Sequence, residues 1–434
     1  MKFKIHRGTK EIGGSCVEVW TDTTRILLDF GLPLIDKDGT AFDFKKYRSA
    51  DTGELIRLGV LPDINGLYEG TDHPLDAVII SHPHQDHYGL INFISKDVRF
   101  YMGEATHKII EINNIFTRQN IRIEKFVHFS RSQPFRVGDF TITPYWADHS
   151  AFDSYSLSVK AGDKGIFYSG DFRSHGRKAG AFKWFTHNPP QNINYLLLEG
   201  TAIGRQTGRF KTESEIEREL EVISRQAGKI CLLYTSGQNI DRLVSAYRAC
   251  LRTGRIMVVD VYVATILKEL SSFAGIPYPS ERFKNLRVMF PYLTSRKLKN
   301  DGKEKILYQF RKFKITKEEI SRLAGEILMV VRPSMQKDLE RIPGIDGGNL
   351  VYSLWEGYLQ KQDTAKFIDY FTNQGFTLHK IHTSGHADIP ALRQMVDAIK
   401  PEYIVPIHTF SGSEYSKIFS TPVLEVKDGE VVGV

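Results

Sequence analysis

Cysteine is scarce in this chain. Cys16, Cys231 and Cys250 are odd in number and widely separated, which argues against a disulfide framework and against a cysteine zinc site. Each reads as a small buried hydrophobe in a reducing, cytoplasmic setting. Long apolar runs are missing as well. No segment approaches the roughly 18 residues that a membrane span needs, so no membrane partner is expected. No signal peptide is visible in the start, MKFKIHRG, which leads straight into strand-like sequence. Internal repeats and low-complexity tracts are lacking too.

What is present is ordinary globular composition, 41% hydrophobic and 25% charged. At 434 residues the chain is too long for one small core and implies two domains, or one domain carrying a large insertion. The net charge of +7 is unevenly placed. Between Arg282 and Lys314 stand 11 Lys or Arg and 2 Asp or Glu, a local balance of +9, so the other residues carry about −2. Phe283, Phe290, Tyr292, Tyr308, Phe310 and Phe313 interleave with these charges. Such a mixture suits a nucleic-acid groove, where cations meet phosphates and rings meet bases. The alternative is a solvated helix face whose aromatics go to the core.

The first 200 residues read as short strands: Cys16–Trp20, Arg25–Phe30, Asp97–Tyr101, Phe140–Trp146, Tyr155–Lys160, Gly165–Ser169 and Tyr195–Glu199. Around Gly204 the character changes. Thr212–Arg225 has helical spacing with glutamates near its start. Lys229–Thr235 is an apolar strand, Asn239–Leu251 a helix and Ile256–Val261 another strand, the order of a βαβ unit in a parallel sheet. Helical, basic sequence runs to about Ala324. Strands at Ile327–Val331 and Asn349–Ser353 and a helix around Ala365–Phe371 follow.

The densest chemistry stands at Ser81-His-Pro-His-Gln-Asp-His87, after an apolar run, Leu75 to Ile80, that reads as a buried strand. A strand ending in H-x-H-x-D-H places His82 and His84 on one metal, and Asp86 with His87 on a second. Nitrogen and carboxylate ligands suit zinc, and two adjacent ions suit hydrolysis of an anionic ester. Four further positions complete a two-metal site. His149 follows Tyr145-Trp-Ala-Asp148, Asp171 ends Phe167-Tyr-Ser-Gly-Asp171, His386 sits in His382-Thr-Ser-Gly-His-Ala387, and His408 ends Tyr403-Ile-Val-Pro-Ile-His408. Each follows an apolar strand or a tight turn, where loops collect catalytic groups. These positions flank the α/β region on both sides, so that region reads as an insertion. The expected division is 1–203, then the inserted 204–376, then a return segment 377–434, with the insertion forming the opposite wall of a cleft over the metals.

These residues carry a family resemblance. The chain resembles the metallo-β-lactamase-fold hydrolases of the β-CASP group, and within it is most similar to the ribonuclease J family. Leu28-Asp29-Phe30-Gly31 resembles the first motif, and His82, His84, Asp86 and His87 match the second. His149 matches the third, Asp171 the fourth, Glu199 in Leu198-Glu-Gly-Thr201 the acidic motif A, His386 motif B and His408 motif C. The resemblance covers nearly the full length and implies an α/β fold, an αββα sandwich with an inserted α/β domain. It further implies that His82, His84 and His149 hold one zinc ion and Asp86, His87 and His408 the other, with Asp171 bridging and manganese as the alternative metal. Two divalent cations against two carboxylates leave about +2, which attracts phosphate. Asp86, Glu199 and His386 are the implied catalytic set, with His386 as general acid positioned by Glu199 and Asp29 supporting the metal-binding loop.

The resemblance also carries expectations about substrate. Thr235-Ser-Gly-Gln-Asn-Ile-Asp-Arg242 occupies the position of a family stretch that helps cradle a 5′ phosphate. Asn239 and Arg242 fit it, Gln238 stands where a serine is expected, and Ser384 and Gly385 of the S-G-H-A motif are retained. The family has a further C-terminal domain, whereas this sequence ends about 26 residues after His408. The implied activity is zinc-dependent hydrolysis of RNA, as a 5′→3′ exonuclease, an endonuclease or both. A DNA nuclease of the same group tends to have valine where His408 stands. A non-catalytic RNA-binding subunit loses metal ligands, and all seven are here. A small-molecule esterase is disfavoured by the insertion and the basic aromatic segment.

Overall fold

Consecutive apolar residues in the early strands find cover on both faces. In Arg25–Leu28, Ile26 and Leu28 enter one core and Leu27 another, so the run is hydrophobic throughout rather than alternating. The computed structural model, which describes every residue except 36–39, 48, 71–74, 118, 206–207 and 227, arranges the described strands in three sheets. The first has the order Val431–Gly433, Lys2–Arg7, Cys16–Trp20, Arg25–Leu28, Ala77–Ile79, Arg99–Gly103, Phe126–Phe129. The second has the order Tyr403–Ile407, Tyr195–Glu199, Lys164–Tyr168, Tyr155–Ala161, Phe140–Trp146, Phe135–Val137.

These two sheets face each other. Phe3, Val19, Ile26 and Ile79 from the first share a core with Ile142, Leu157, Ile166 and Val405 from the second. Outside the second sheet, Phe182 and Phe185 of the helix Ala179–His187 and Leu392 and Met395 of Ile389–Ile399 pack on Leu196, Leu198 and Ile404. Outside the first sheet, Leu55, Tyr88 and Ile110 cover Leu27, Val78 and Phe100. Helices, sheet, sheet, helices is the αββα sandwich expected above. Complete burial of side chains such as Leu196, Leu197 and Leu198 contributes about 1.5–3 kcal/mol each.

The third sheet is wholly parallel, in the order Leu286–Met289, Ile256–Asp260, Ile327–Val331, Cys231–Tyr234, Gly348–Tyr352, Phe376–Lys380. Helices cover both faces, with Leu220, Leu243 and Leu267 on one and Phe367, Ile368 and Phe371 on the other. The helix Glu213–Ser224 begins at a capping box. Thr212 accepts from the Glu215 N–H and Glu215 accepts from the Thr212 N–H, which accounts for the glutamates near its start. Two placements differ from expectation. Phe376–Lys380 pairs with Gly348–Tyr352 in the third sheet, so that sheet runs past the expected return at 376. The helix Glu104–Phe116, unread in the sequence, follows a strand of the first sheet, yet Ala105, Ile109 and Ile112 pack into the third sheet's core.

The basic aromatic segment divides. Phe310 is buried, and Phe283, Phe290 and Phe313 pack against the third sheet's core. Tyr292 and Tyr308 alone of the six rings are well exposed, at 56% and 64%. Four of the interleaved aromatics therefore serve packing, and the exposed basic face carries two tyrosines.

Candidate metal centre

The first and second sheets deliver their strand ends to one place. The strand Ala77–Ile79 runs into Ser81, His82 and His84, and the short helix Gln85–Tyr88 carries Asp86 and His87. His149 follows Phe140–Trp146, Asp171 follows Lys164–Tyr168, Glu199 ends its own strand, and His408 follows Tyr403–Ile407. The loop 29–32 lies directly on this turn: the Phe30 N–H donates to the His87 carbonyl (2.8 Å) and the Leu32 N–H to that of Gln85 (2.8 Å). A Cβ on Gly31 would stand 1.6 Å from the Asp86 carbonyl oxygen, so only glycine permits this approach.

Asp29, held at φ +59°, is fully buried and saturated with donors. Its carboxylate accepts from the Ser81 N–H, the Ser81 hydroxyl, the Tyr168 hydroxyl and His87 Nδ1, each at 2.7 Å. A carboxylate so held fixes the His87 ring and the start of the ligand loop. The other imidazoles are oriented similarly. His82 Nδ1 meets Ser81 Oγ at 3.0 Å, His149 Nδ1 donates to the Gly385 carbonyl at 2.6 Å, and His408 Nδ1 meets Thr201 Oγ1 at 2.8 Å. With Nδ1 engaged in all four, Nε2 is the nitrogen left to face the centre. His84 differs, placing Nδ1 3.1 Å from His149 Nε2.

These atoms converge on Asp171. One of its oxygens lies 3.2 Å from His87 Nε2 and 3.7 Å from His82 Nε2, and the other 3.6 Å from His408 Nδ1. His408 Nε2 is 3.4 Å from Asp86. Among the described residues, three overlapping groups of donor atoms, each within 4.8 Å of one another, could hold an ion: His82, His84, His149 and Asp171; Asp86, His87, Asp171 and His408; and Asp171, Glu199, His386 and His408. Asp171 belongs to all three.

The donor chemistry fits a cation. His82 Nε2, His87 Nε2, His408 Nε2, His386 Nδ1 and both Asp171 oxygens are buried without any hydrogen-bond partner. Each such atom, left alone, costs about 1–3 kcal/mol, and here they point at one another. Burial, helped by the neighbouring imidazoles, pushes His82 and His149 well below the usual histidine range. Burial also takes His84 down to about 4, so these three rings are neutral, as a ligand must be. At His87 burial is overcome by the Asp171 and Asp29 carboxylates, which raise it well above that range. At Asp86 burial is overcome by His408 and His87, which hold the carboxyl at about 2. The centre pairs ionised carboxylates with a demand for positive charge.

His386 stands at the rim, its side chain 21% exposed, with Nδ1 3.4 Å from Glu199 and 3.6 Å from Asp171. Burial lowers its pKa, but the Asp171 and Glu199 charges prevail and lift it to about 9. Glu199 accepts from the Thr201 N–H (3.0 Å) and the Ala387 N–H (3.2 Å), tying motif A to the loop that carries His386.

The expected substrate contacts are placed otherwise. Arg242 is fully buried and bonded to Glu213 (3.0 Å), to Ser353 and to the Ile381 carbonyl, so it is unavailable to a substrate. Asn239 caps the helix Ile240–Thr253, accepting from the Arg242 N–H at 3.0 Å. A buried guanidinium needs a carboxylate partner, and Glu213 is that partner. Ser384 and Gly385 do border the centre, but their polar atoms position neighbours. The Ser384 carbonyl accepts from Arg173 (2.9 Å) and His175 (3.0 Å), and the Gly385 carbonyl from His149. Sequence reading missed Ser81, Tyr168, Thr201 and Arg173. Of these, Ser81, Tyr168 and Thr201 lay inside quoted motifs, and only Arg173 lay outside them.

Comparison with known proteins agrees with this geometry. Residues 65–213 match the beta-lactamase superfamily domain, and residues 376–410 match the Zn-dependent metallo-hydrolase RNA specificity domain. The two domains, with the relatives below, support a metallo-β-lactamase-fold hydrolase of the β-CASP group. Within that group it is similar to ribonuclease J. The Helicobacter pylori protein of that name is 22% identical over 92% of this chain and 55% of its own length, and that of Mycoplasma genitalium 22% over 94% and 67%. An Integrator complex subunit 11 homolog from Dictyostelium discoideum is 20% identical over 92% of this chain and 56% of its own length. The chain thus spans about half the length of the first of these relatives. A solved structure of a protein of unknown function from Enterococcus faecalis shares the fold, with a TM-score of 0.79 and 20% identity over 99% of both chains.

Proposed function

We propose that this chain is a zinc-dependent ribonuclease, ribonuclease J-like, which hydrolyses RNA phosphodiester bonds as a 5′→3′ exonuclease, an endonuclease or both. The observation that carries the proposal is the convergence of unpartnered buried donors on Asp171. His82, His84 and His149 would hold one ion and Asp86, His87 and His408 the other, with Asp171 shared and manganese as the alternative to zinc. When bound, such ions supply Lewis acidity toward a phosphoryl oxygen and toward the attacking water.

The chain's own residues do the rest. Asp29 and Thr201 keep the His87 and His408 rings in the tautomer that turns Nε2 inward. Glu199, fixed by two backbone N–H groups, holds a proton on His386 Nδ1, and the imidazolium so maintained delivers its Nε2 proton to the leaving oxygen. RNA as substrate is supported by the names of the relatives and by the +9 balance from Arg282 to Lys314. The third sheet and its helices, from Gly204 to Lys380, are proposed as the inserted domain that walls the cleft, and the cytoplasm as the compartment. No helix among the described residues is long and apolar enough to cross a membrane. Turnover of 5′-labelled RNA and of matched DNA, with and without chelator, tests the reading. RNA cleavage abolished by chelator and restored by zinc or manganese is expected. Cleavage of DNA alone, or of neither strand, overturns it.

A further inference from the structure

Beside the candidate centre stands a cluster of aromatic and cationic side chains to which neither the metal ligands nor the family motifs assign a role. Trp355 is 45% exposed, a large loss of apolar cover for an indole, and the Arg205 guanidinium lies over its ring at 4.6 Å. Tyr358 meets the indole edge to face, centroids 5.4 Å apart at 87°, and carries the Lys361 ammonium 4.2 Å from its own ring centre. The segment is built to hold this shape. The Tyr352 hydroxyl donates to the Trp355 carbonyl at 2.8 Å, and a Cβ on Gly357 would fall 2.2 Å from the indole ring.

Chain connectivity puts the cluster at the mouth of the centre. Arg205 lies six residues after Glu199 on a loop that touches the segment after His408: the Thr409 hydroxyl donates to the Gly200 carbonyl (3.0 Å), and a Cβ on Gly204 would meet Ser411 Oγ at 2.7 Å. Phe410, two residues past His408, is 51% exposed. The Tyr358 hydroxyl, mainly raised by burial, is raised further by the charge of Asp86, one of the candidate ligands.

We propose that Trp355, flanked by Arg205 and Tyr358, is a stacking platform for an unpaired nucleobase of the RNA strand whose backbone enters the metal centre. Exposed rings interleaved with cations bind single strands through base stacking and phosphate attraction together, without reading sequence. The proposal rests on the ribonuclease reading and adds to it the part of the substrate that is gripped.

The test compares binding of two uncleavable phosphorothioate strands of equal length, oligouridylate and its abasic counterpart, to the metal-loaded protein. Wild type should prefer the base-bearing strand by roughly 5- to 150-fold for each stacked base. Trp355→Ala should bring that ratio towards one while leaving affinity for the abasic strand unchanged, and Trp355→Phe should recover part of it. Tryptophan fluorescence should be quenched by oligouridylate in wild type and far less in Trp355→Phe, which keeps the other three of the four tryptophans. An unaltered base preference in Trp355→Ala overturns the platform, even where RNA is still cut. Absence of both RNA binding and RNA cleavage in wild type overturns the ribonuclease reading, and the platform falls with it.

Discussion

His386 Nδ1 faces Asp171 and Glu199 at 3.6 and 3.4 Å and has no hydrogen-bond partner of its own. Two roles fit that position, a proton donor beside the metals or an additional ligand, since His386 also belongs to one of the three donor groups. The groups that share Asp171 without it already supply three further ligands each, which favours the proton donor. His386→Ala should therefore leave close to two metal ions per chain and nearly unchanged RNA affinity, while kcat falls by about 10²–10⁴-fold. A substrate with a better leaving group should regain part of the lost rate, because it needs less protonation. Loss of an ion from this variant would make His386 a ligand and end the general-acid assignment. Legibility differs sharply among residues of this site. His82 to His87 could be read because four candidate ligands fall within six positions. Thr201 could not, because a lone threonine gives no local sign that it will meet His408, 207 residues away.

At the scale of elements, the junction between the third sheet's helices and the sandwich rests on buried charge. Glu213, at the start of its helix, bonds Arg242 at 3.0 Å and lies 3.4 Å from Arg173, which in turn reaches Asp241 and the Ser384 carbonyl. Burial raises the Glu213 pKa, but Arg242 and Arg173 prevail and hold it at about 2. A depressed folded pKa means stability that is fully present above the ordinary glutamate range and lost as pH falls through about 2. Glu213→Gln should lower the melting temperature at neutral pH, in keeping with the roughly 3–5 kcal/mol cost of breaking a buried pair. In chelator, melting between pH 4.5 and 2 should then fall less steeply with acid than in wild type. Equal slopes would show that Glu213 titrates normally. Most elements were legible because strand lengths and βαβ order follow from apolar runs, and Phe140–Trp146, Tyr195–Glu199 and Ile327–Val331 have the expected bounds. Arg242 was misread for a physical reason: sequence shows a cation near a glycine turn but not the Glu213 carboxylate that buries it. The phenylalanines of the basic segment stood between two readings, groove or core, since interleaved charge does not reveal which face of a short helix meets a core.

Across the whole molecule, the candidate ligands join two layers that share an apolar core and a few hydrogen bonds such as Tyr168 to Asp29. His82, His84, Asp86 and His87 leave the first sheet, while His149, Asp171 and His408 leave the second. Cations shared between them would bind the folded sandwich and not the unfolded chain, so occupancy should appear as stability. The relation is logarithmic, about 2.7 kcal/mol at a free metal concentration 100 times the dissociation constant for one site. Chelation should lower the melting temperature of the wild-type protein, and added zinc should raise it in a concentration-dependent way. Asp171, common to all three donor groups, should dominate this response. Asp171→Asn keeps the shape but removes the charge that sits against His87, His82 and His408, so metal content should fall below one ion per chain and the zinc-dependent rise should largely vanish. The variant should also melt with little dependence on chelator, because it has little metal to lose. Calorimetry with metal analysis of the same samples separates the outcomes. If Asp171→Asn retains two ions and the full zinc-dependent shift, Asp171 is not the shared ligand, and the two-cation centre proposed here is wrong in its central member.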